Sequence, residues 1–502
     1  MAETPPAHRD EPPPIYRFRS LAHLLDTHHE LRRQEIYFAR LGELGDPREH
    51  EQDIVWRSDE IAWRSLLKNY LYALCHVYRM VQATGHAVDV GAADVDPSGR
   101  TRLQLTGTDS TAAECAWQAL WDDREVQTLF KTIGAYETTV RHNELLRYLI
   151  MVHPAAIASI EQAYAQYRLP TVGTPPLVTD RGSTGHVFTV EHQARLLARL
   201  DEEDDFESDS ERAWQFVAGN VFVQRYRTGH VRESTMQRNL RFLRHDFPVV
   251  FVSRLSTLLG PERYTACFSK NCSNATMWTQ YADAHTGVCL IFRPRASYGR
   301  WGIELEHPQA SRWDAPPVIR AETGGLQLPF FDIVYRDATV EVDFFRNLGA
   351  LQPEEVHDLW HSDEAGSVSV ATLIQDVDMT EEPIELWPSS YWYLYLRNAA
   401  TKSTDWEHEQ ETRLILPAPN DGNTPPESRL LEYDFRSLAG IIFGINTDEE
   451  SKFKIMEIVE QKQRQGKCDS FRFYQACYSH AQKGIDHYEL PWNEPMLRRR
   501  SR

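Results

Sequence analysis

Glu407, Glu409, Glu411 and Arg413 alternate along Trp406–Arg413, and the run passes into Leu414-Ile415-Leu416 and Pro417. The apolar end reads as a strand closed by the proline. If the strand begins early, all four charged side chains share one face, because side chains alternate with period two. Three like charges at that spacing do nothing for a sheet, so the face is either solvated or chemically employed. A second set lies upstream. Arg17 and Arg19 alternate with Tyr16 and Phe18, and paired guanidinium groups on a strand suit an anion, unless the strand is a solvated edge. Ser269 closes Ala266-Cys267-Phe268-Ser269 and can present its hydroxyl at a sheet edge. Met277, Trp278, Tyr281 and His285 follow on a short helix capped by Ser273 or Asn274. Aromatics at that spacing usually pack a core, and a histidine at a helix end suits the negative end of the dipole. His23, His28 and His29 lack the acidic or thiol partners of a metal set and read as surface or pocket-lining. The chain carries no Gly-rich phosphate loop, no G-x-S-x-G elbow and no H-E-x-x-H motif.

The elements that hold these residues divide the chain of 502 residues. Segment 1–14 is a Pro-rich lead-in expected to be disordered, without the apolar stretch of a secretory signal. Strands at 15–20 and 36–39 flank a helix starting at Ser20. From 60 to 245 the pattern is mostly helical, with Trp63, Leu66, Leu67, Tyr70, Leu71, Leu74, Val77, Tyr78 and Val81 at helical spacing. A flexible Pro/Gly/Thr-rich loop near 169–185 and a solvated acidic run at 201–211 interrupt it. Strands return at 265–269, 288–292, 332–335, 412–416, 440–445 and 471–478. A Trp/Tyr-rich helix over 384–400 packs through Trp387, Tyr391, Leu394 and Tyr395. Segment 491–502 is a basic tail. The expected fold is α+β: a mixed or antiparallel sheet domain, 15–59 with 246–490, interrupted by the large helical insertion 60–245.

Hydrophobic content of 41% and charged content of 25% are those of a globular protein. A net charge of -19 argues against a nucleic-acid coat or an anionic-membrane binder. No apolar run approaches a membrane span. Seven cysteines without paired C-x-x-C spacing read as reduced thiols of a cytoplasmic protein, with no zinc site and no metal site otherwise.

Taken together, these segments resemble a bacterial family known as domain of unknown function 2971. The resemblance rests on IYRFRS, IYFARLGELGDPRE, CFSKNCSNATMWTQYADAHTG, KSTDWEHEQETRLIL and GIIFG, in that order. It covers roughly 15–55 and 245–490, and departs from the family pattern at Gly45 and Arg48. The chain also resembles ADP-ribosyltransferases in carrying, in order, an Arg on a first strand, a Ser on a second and Glu-x-Glu on a later one. That resemblance implies NAD as a substrate. Arg17 or Arg19 would hold its phosphate or ribose, and Ser269 would support the nicotinamide ribose. Trp278 or Tyr281 would stack on nicotinamide, with His285 also in the nucleotide site. Glu411 would bind the ribose 2′-hydroxyl and stabilise the oxocarbenium-like charge, while Glu409 activates an acceptor. The expected activity is ADP-ribosyl transfer or NAD cleavage, in a defence or toxin-type effector.

Two other readings stay open. One is a metal-dependent nuclease or phosphoesterase, with Glu409, Glu411 and Asp46 holding Mg²⁺ and Lys402 near the phosphate. The other is a non-catalytic sensor or scaffold that binds a protein partner through the helical insertion, its glutamates only solvated or salt-bridged.

Overall fold

A computed structural model describes residues 12–171, 234–371 and 390–491, apart from 47–48, 50–52, 85–86, 136–138, 298–299, 314–316, 322, 338–340, 420–423 and 467–470. Most of the lead-in and basic tail, the loop 172–185, the acidic run 201–211 and Trp387 lie outside the described residues.

The chain forms two compact units. The first comprises Met1–Gln52, Pro261–Val340 and Pro383–Arg502; the second comprises Asp53–Gly260 and Glu341–Glu382. The fold class is α+β, as the sequence implies. The chain leaves the sheet unit a second time, at Glu341, and nothing in the apolar pattern of that segment announces it.

The strands on the main path of the sheet, in chain order, are β1 (Ile15–Arg19), β2 (Glu35–Tyr37), β3 (Arg263–Ser269), β4 (Val288–Phe292), β5 (Arg300–Glu306), β6 (Leu326–Asp332), β7 (Glu411–Pro417), β8 (Leu430–Tyr433), β9 (Leu438–Phe443), β10 (Arg472–Ser479) and β11 (Gly484–Leu490). They run side by side as β11-β10-β9-β4-β1-β3-β7-β6-β5-β8-β2. The β9–β10 pair is parallel and bridged by the helix Glu449–Arg464, whose Asp448 side chain caps it by accepting the Ser451 N–H at 2.8 Å. The other neighbours on this path pair antiparallel.

Alternation sorts the central strands onto two faces. One face carries Ile15, Phe268, Val288, Leu290, Phe292, Leu414, Ile441 and Phe443 into a core shared with Ile455 and Val459 of the long helix. The other carries Phe18, Cys289 and Ile442 against Met277 and Trp278. Further along that second face, Phe331 and Ile415 pack on Tyr395, Leu396 and Ala399 of the helix Ser390–Ala399.

The second unit is mainly helical. Its helix Glu60–Thr84 buries Trp63, Leu66, Leu67, Tyr70, Leu71, Leu74, Val77, Tyr78 and Val81, the stripe read from the sequence. Segments 141–152 and 155–167 are one helix, His142–Gln166, that continues through Pro154. Its core holds a neutral histidine. His153 Nδ1 accepts the Tyr70 hydroxyl at 2.7 Å, and Nε2 donates to the Leu243 carbonyl at 2.7 Å. Burial pushes the imidazole pKa down to about 4. A depressed histidine keeps its stabilising effect above pH 6.5 and loses it as pH falls toward 4, because the unfolded chain then binds the extra proton. The unfolding free energy from denaturant titrations should therefore fall between pH 7 and pH 4.5 by an amount on the order of 2–3 kcal/mol. The fall should shrink in His153→Gln, and an equal fall in both proteins would refute the assignment.

Candidate functional site

The site is a charged cluster buried within the sheet unit, built where β7 begins. Thr404–Glu409 is a turn of 3-10 helix, and Gln410 takes a left-handed conformation, φ 46°, before β7 starts at Glu411. The strand starts close to the expected 412–416, so the early start that would have set all four charged side chains on one face does not occur. Glu407 is exposed as a result, while Glu409 and Glu411 are buried, 2% and 4% exposed. Acids two apart on a strand would share a face; here the turn aims Glu409 back over Lys402.

Lys402 is the centre of the cluster. Its ammonium lies 2.7 Å from Glu409 Oε2, 3.1 Å from Glu411 Oε2 and 3.1 Å from Glu49 Oε1. It also sits 4.7 Å from the centre of the Trp406 ring. Arg413, two residues along β7 from Glu411, returns to it with two bonds, Nε to Oε1 at 2.6 Å and Nη2 to Oε2 at 2.9 Å. The same guanidinium contacts Glu49 and donates to the Ala399 carbonyl at 3.1 Å. Three carboxylates and two cations leave one formal negative charge. Burial opposes each of these charges. For Glu411, Arg413 and Lys402 more than offset it and draw the carboxyl down to about 2. For Lys402, burial is offset by Glu411, Glu49 and Glu409, which hold the ammonium protonated above its ordinary range.

A carboxylate depressed in the fold contributes stability above its unfolded value of about 4.5 and loses it as pH falls through 2. Acid unfolding of the sheet unit should therefore steepen below pH 4. Glu411→Gln should flatten that limb when unfolding is followed by circular dichroism, and an unchanged limb would contradict the pairing.

Two phenols edge the cluster. The Tyr335 hydroxyl accepts the Glu411 N–H at 2.7 Å. The Tyr281 hydroxyl donates to Glu409 Oε1 at 2.6 Å, and its ring is 41% exposed. Burial and the Glu409 charge raise the Tyr281 pKa, so the phenol stays protonated. Asn274 fixes this contact. Its side-chain oxygen caps the helix Ala275–Gln280 through the Thr276 N–H at 2.8 Å, and its amide donates to the His408 carbonyl at 2.5 Å. One residue thus ties the helix before Tyr281 to the turn that holds Glu409.

Register brings the remaining strands together. Glu411 pairs with Ser269, and Ser269 with Tyr16, so the three form a row across β7, β3 and β1 on one face. Ser269 is 1% exposed, and its hydroxyl lies 2.7 Å from the Glu409 carbonyl as donor while accepting the Asn271 N–H at 3.0 Å. Its hydroxyl is thereby committed to the backbone on either side of the Glu409 turn, which it positions. Tyr16 takes the place on β1 that the resemblance assigns to an arginine.

Arg17 and Arg19 are not brought to this face. Alternation sends them to the opposite side of β1, where Arg17 lies 5.5 Å over the Phe268 ring and Arg19 pairs with Glu30. Trp278 is also unavailable as a stacking surface. It is fully buried, wedged edge-on against Phe18 at 5.1 Å and parallel to His285 at 6.3 Å, with its indole N–H on the Cys272 carbonyl at 2.7 Å. His285 serves that packing, and it ends three consecutive left-handed residues, Asp283, Ala284 and His285, with φ of 47°, 50° and 68°. Gly287 completes the turn: a Cβ there would lie 2.3 Å from the Arg19 carbonyl. The structure thus assembles Ser269, Tyr281, Glu409 and Glu411, with Trp278 and His285 as the packing behind them.

Residues 277–414 match the family described as Protein of unknown function (DUF2971). The match supports the resemblance to that family read from the sequence, and it carries no assigned activity. It begins within the Asn274-capped helix and ends inside β7, so the DUF2971 segment holds Tyr281, Tyr335, Lys402, Glu409, Glu411 and Arg413, while Glu49, Tyr16 and Ser269 lie outside it. Comparison with curated proteins and with solved structures gave no significant match.

Glu49, Tyr335 and Tyr16 were not marked by sequence reasoning as parts of this set, and Lys402 was joined to Glu409 and Glu411 only in the metal-dependent reading, as the lysine near the phosphate. Lys402 alone carried a signal, as a lysine shortly before the Glu-x-Glu run. Glu49 is remote in sequence and reaches the cluster only through tertiary folding. No group of three or more His, Cys, Asp or Glu side chains suited to a metal occurs among the described residues. A divalent ion at Glu409 and Glu411 would have to displace Lys402. No helix among the described residues is long and apolar enough to cross a membrane.

Proposed function

We propose that the sheet unit is an enzyme of the NAD-cleaving or ADP-ribosyl-transferring kind, with Glu409 as the carboxylate that meets the substrate. The supporting observation is the junction of Ser269, Glu411, Glu409 and Tyr281, brought together by the adjacent strands β3 and β7 in the order the resemblance requires. Glu411 has both oxygens committed to Arg413 and Lys402, so its role is to fix the cluster. Glu409 differs: one oxygen is held by Lys402, the other by the exposed Tyr281. A ribose hydroxyl that replaces the phenol gains a fixed anion close to where positive charge develops as nicotinamide departs. Tyr281 then lies beside the leaving ring. Arg17 and Arg19 are given no part in this reaction.

The test is nicotinamide release from NAD by the full-length protein, with water, protein or nucleic acid as acceptor, beside Glu409→Gln and Tyr281→Phe. Absence of release under every condition overturns the reading. It would leave the scaffold alternative, which the complete pairing of Glu411 favours.

A further inference from the structure

We propose that the phenol of Tyr281 is an acceptor for the ADP-ribosyl group, so that the protein modifies itself at this residue. The inference rests on the NAD reading and supplies an acceptor for it.

The observation that carries it is the order of contacts through Glu409. The Tyr281 hydroxyl donates to Glu409 Oε1 at 2.6 Å, and Lys402 holds Oε2 at 2.7 Å. A nucleophile, a base within hydrogen-bond reach and a third group that orients the base are the three parts of an activated nucleophile. A phenol can fill the first role, as the tyrosine of sialidases does toward a sugar carbon. Base and nucleophile are each fixed by their own contacts. The Glu409 turn is held by Lys402 and by the Ser269 hydroxyl, 2.7 Å from the Glu409 carbonyl. Tyr281 follows directly on the helix Ala275–Gln280, with its N–H on the Met277 carbonyl at 2.9 Å.

The other nucleophiles of the site are committed. The Ser269 hydroxyl is 1% exposed and bound to backbone. The Tyr335 oxygen accepts the Glu411 N–H, and the Lys402 amine is kept protonated by its three carboxylates. Tyr281 is 41% exposed and has a base. Burial first, and then Glu409, raise its pKa, so the phenol keeps its proton until an electrophile arrives. The proton then has to pass to Glu409 as the new bond forms. In the step, the bond from ribose C1′ to the nicotinamide nitrogen breaks, and nicotinamide leaves as a neutral molecule with the electron pair. A lone pair of the phenol oxygen then forms the bond to C1′, and the phenol proton goes to Glu409. A carboxylate oxygen accepts two hydrogen bonds, so Oε1 can keep the ribose hydroxyl and take back the displaced phenol. The products are nicotinamide and a Tyr281 ether of ADP-ribose, with no further reactant.

The experiment is mass spectrometry of the full-length protein after incubation with NAD, read beside the nicotinamide released. Wild type should gain the mass of an ADP-ribosyl group, and peptide mapping should place it on Tyr281. Tyr281→Phe should lose the adduct while it still releases nicotinamide with water as acceptor. Release by wild type should slow as the adduct accumulates, whereas Tyr281→Phe, slower at the outset, should hold its rate. The wild-type peptide map decides the site whether or not the variant folds. Nicotinamide released by wild type without an adduct on Tyr281, or an equal adduct on Tyr281→Phe, would overturn the inference and leave the NAD reading in place. Absence of nicotinamide from every sample would overturn both.

Discussion

Lys402→Met should destabilise the sheet unit by about 3–5 kcal/mol, the usual cost of removing one partner from a buried ion cluster. Lys402 is 7% exposed and touches Glu49, Glu409 and Glu411 within 3.1 Å. Without it Glu49 and Glu411 share Arg413 alone. Glu409 loses its cation entirely and keeps only the Tyr281 hydroxyl. The methionine is close to the lysine in length, and its end would meet the Trp406 ring that the ammonium now faces at 4.7 Å. Urea unfolding of the two proteins at pH 7 measures the difference, and a change under about 1 kcal/mol would mean that the cluster is solvated. Lys402→Met combined with Glu409→Gln should recover part of the loss, because it removes the acid left without a counter-charge. Simple additivity of the two changes would contradict the 2.7 Å contact.

Glu409→Gln should lower nicotinamide release by about 100-fold or more, in the range seen when a group that stabilises transition-state charge is neutralised. The amide can still accept from Tyr281 and stay near Lys402, so the change alters charge more than shape. Tyr281→Phe should have a smaller effect, about tenfold, because it removes a hydrogen bond and leaves the carboxylate in place. The two variants separate chemistry from folding. If Tm holds within a few degrees while turnover falls, Glu409 acts on the substrate. If turnover persists in Glu409→Gln at wild-type level, the carboxylate that meets the substrate is not Glu409. If Glu411→Gln loses activity only together with Tm, Glu411 is the positioning residue that its pairing implies.

Much of the architecture was legible in the sequence because hydrophobic periodicity reports burial directly. The strands around Ile15, Phe268, Val288, Leu414 and Ile441 and the helix carrying Trp63 to Val81 form where alternation and helical spacing place them. The strand Arg300–Glu306 and the edge strand Gly484–Leu490 carry weaker apolar alternation, and neither was read. The second departure from the sheet unit at Glu341 has no local signal either, since membership of a unit depends on contacts remote in sequence.

The site shows the same division at finer scale. Glu409, Glu411, Ser269 and Tyr281 were visible because their types and order are unusual in a strand-and-turn setting. The face each one uses was not visible. A single left-handed residue, Gln410, breaks the alternation that would have put Glu407 beside Glu409. Register then decides the rest: Ser269 opposite Tyr16 sends Arg17 and Arg19 to the far side of the sheet. The sequence by itself determined which charges exist near the start of β7 and that a sheet must hold them. Only the tertiary structure decided their partners, because Glu49 and Lys402 are separated from each other by most of the chain, and burial turns that meeting of Glu49, Lys402 and Arg413 with the two glutamates into an internal ion cluster.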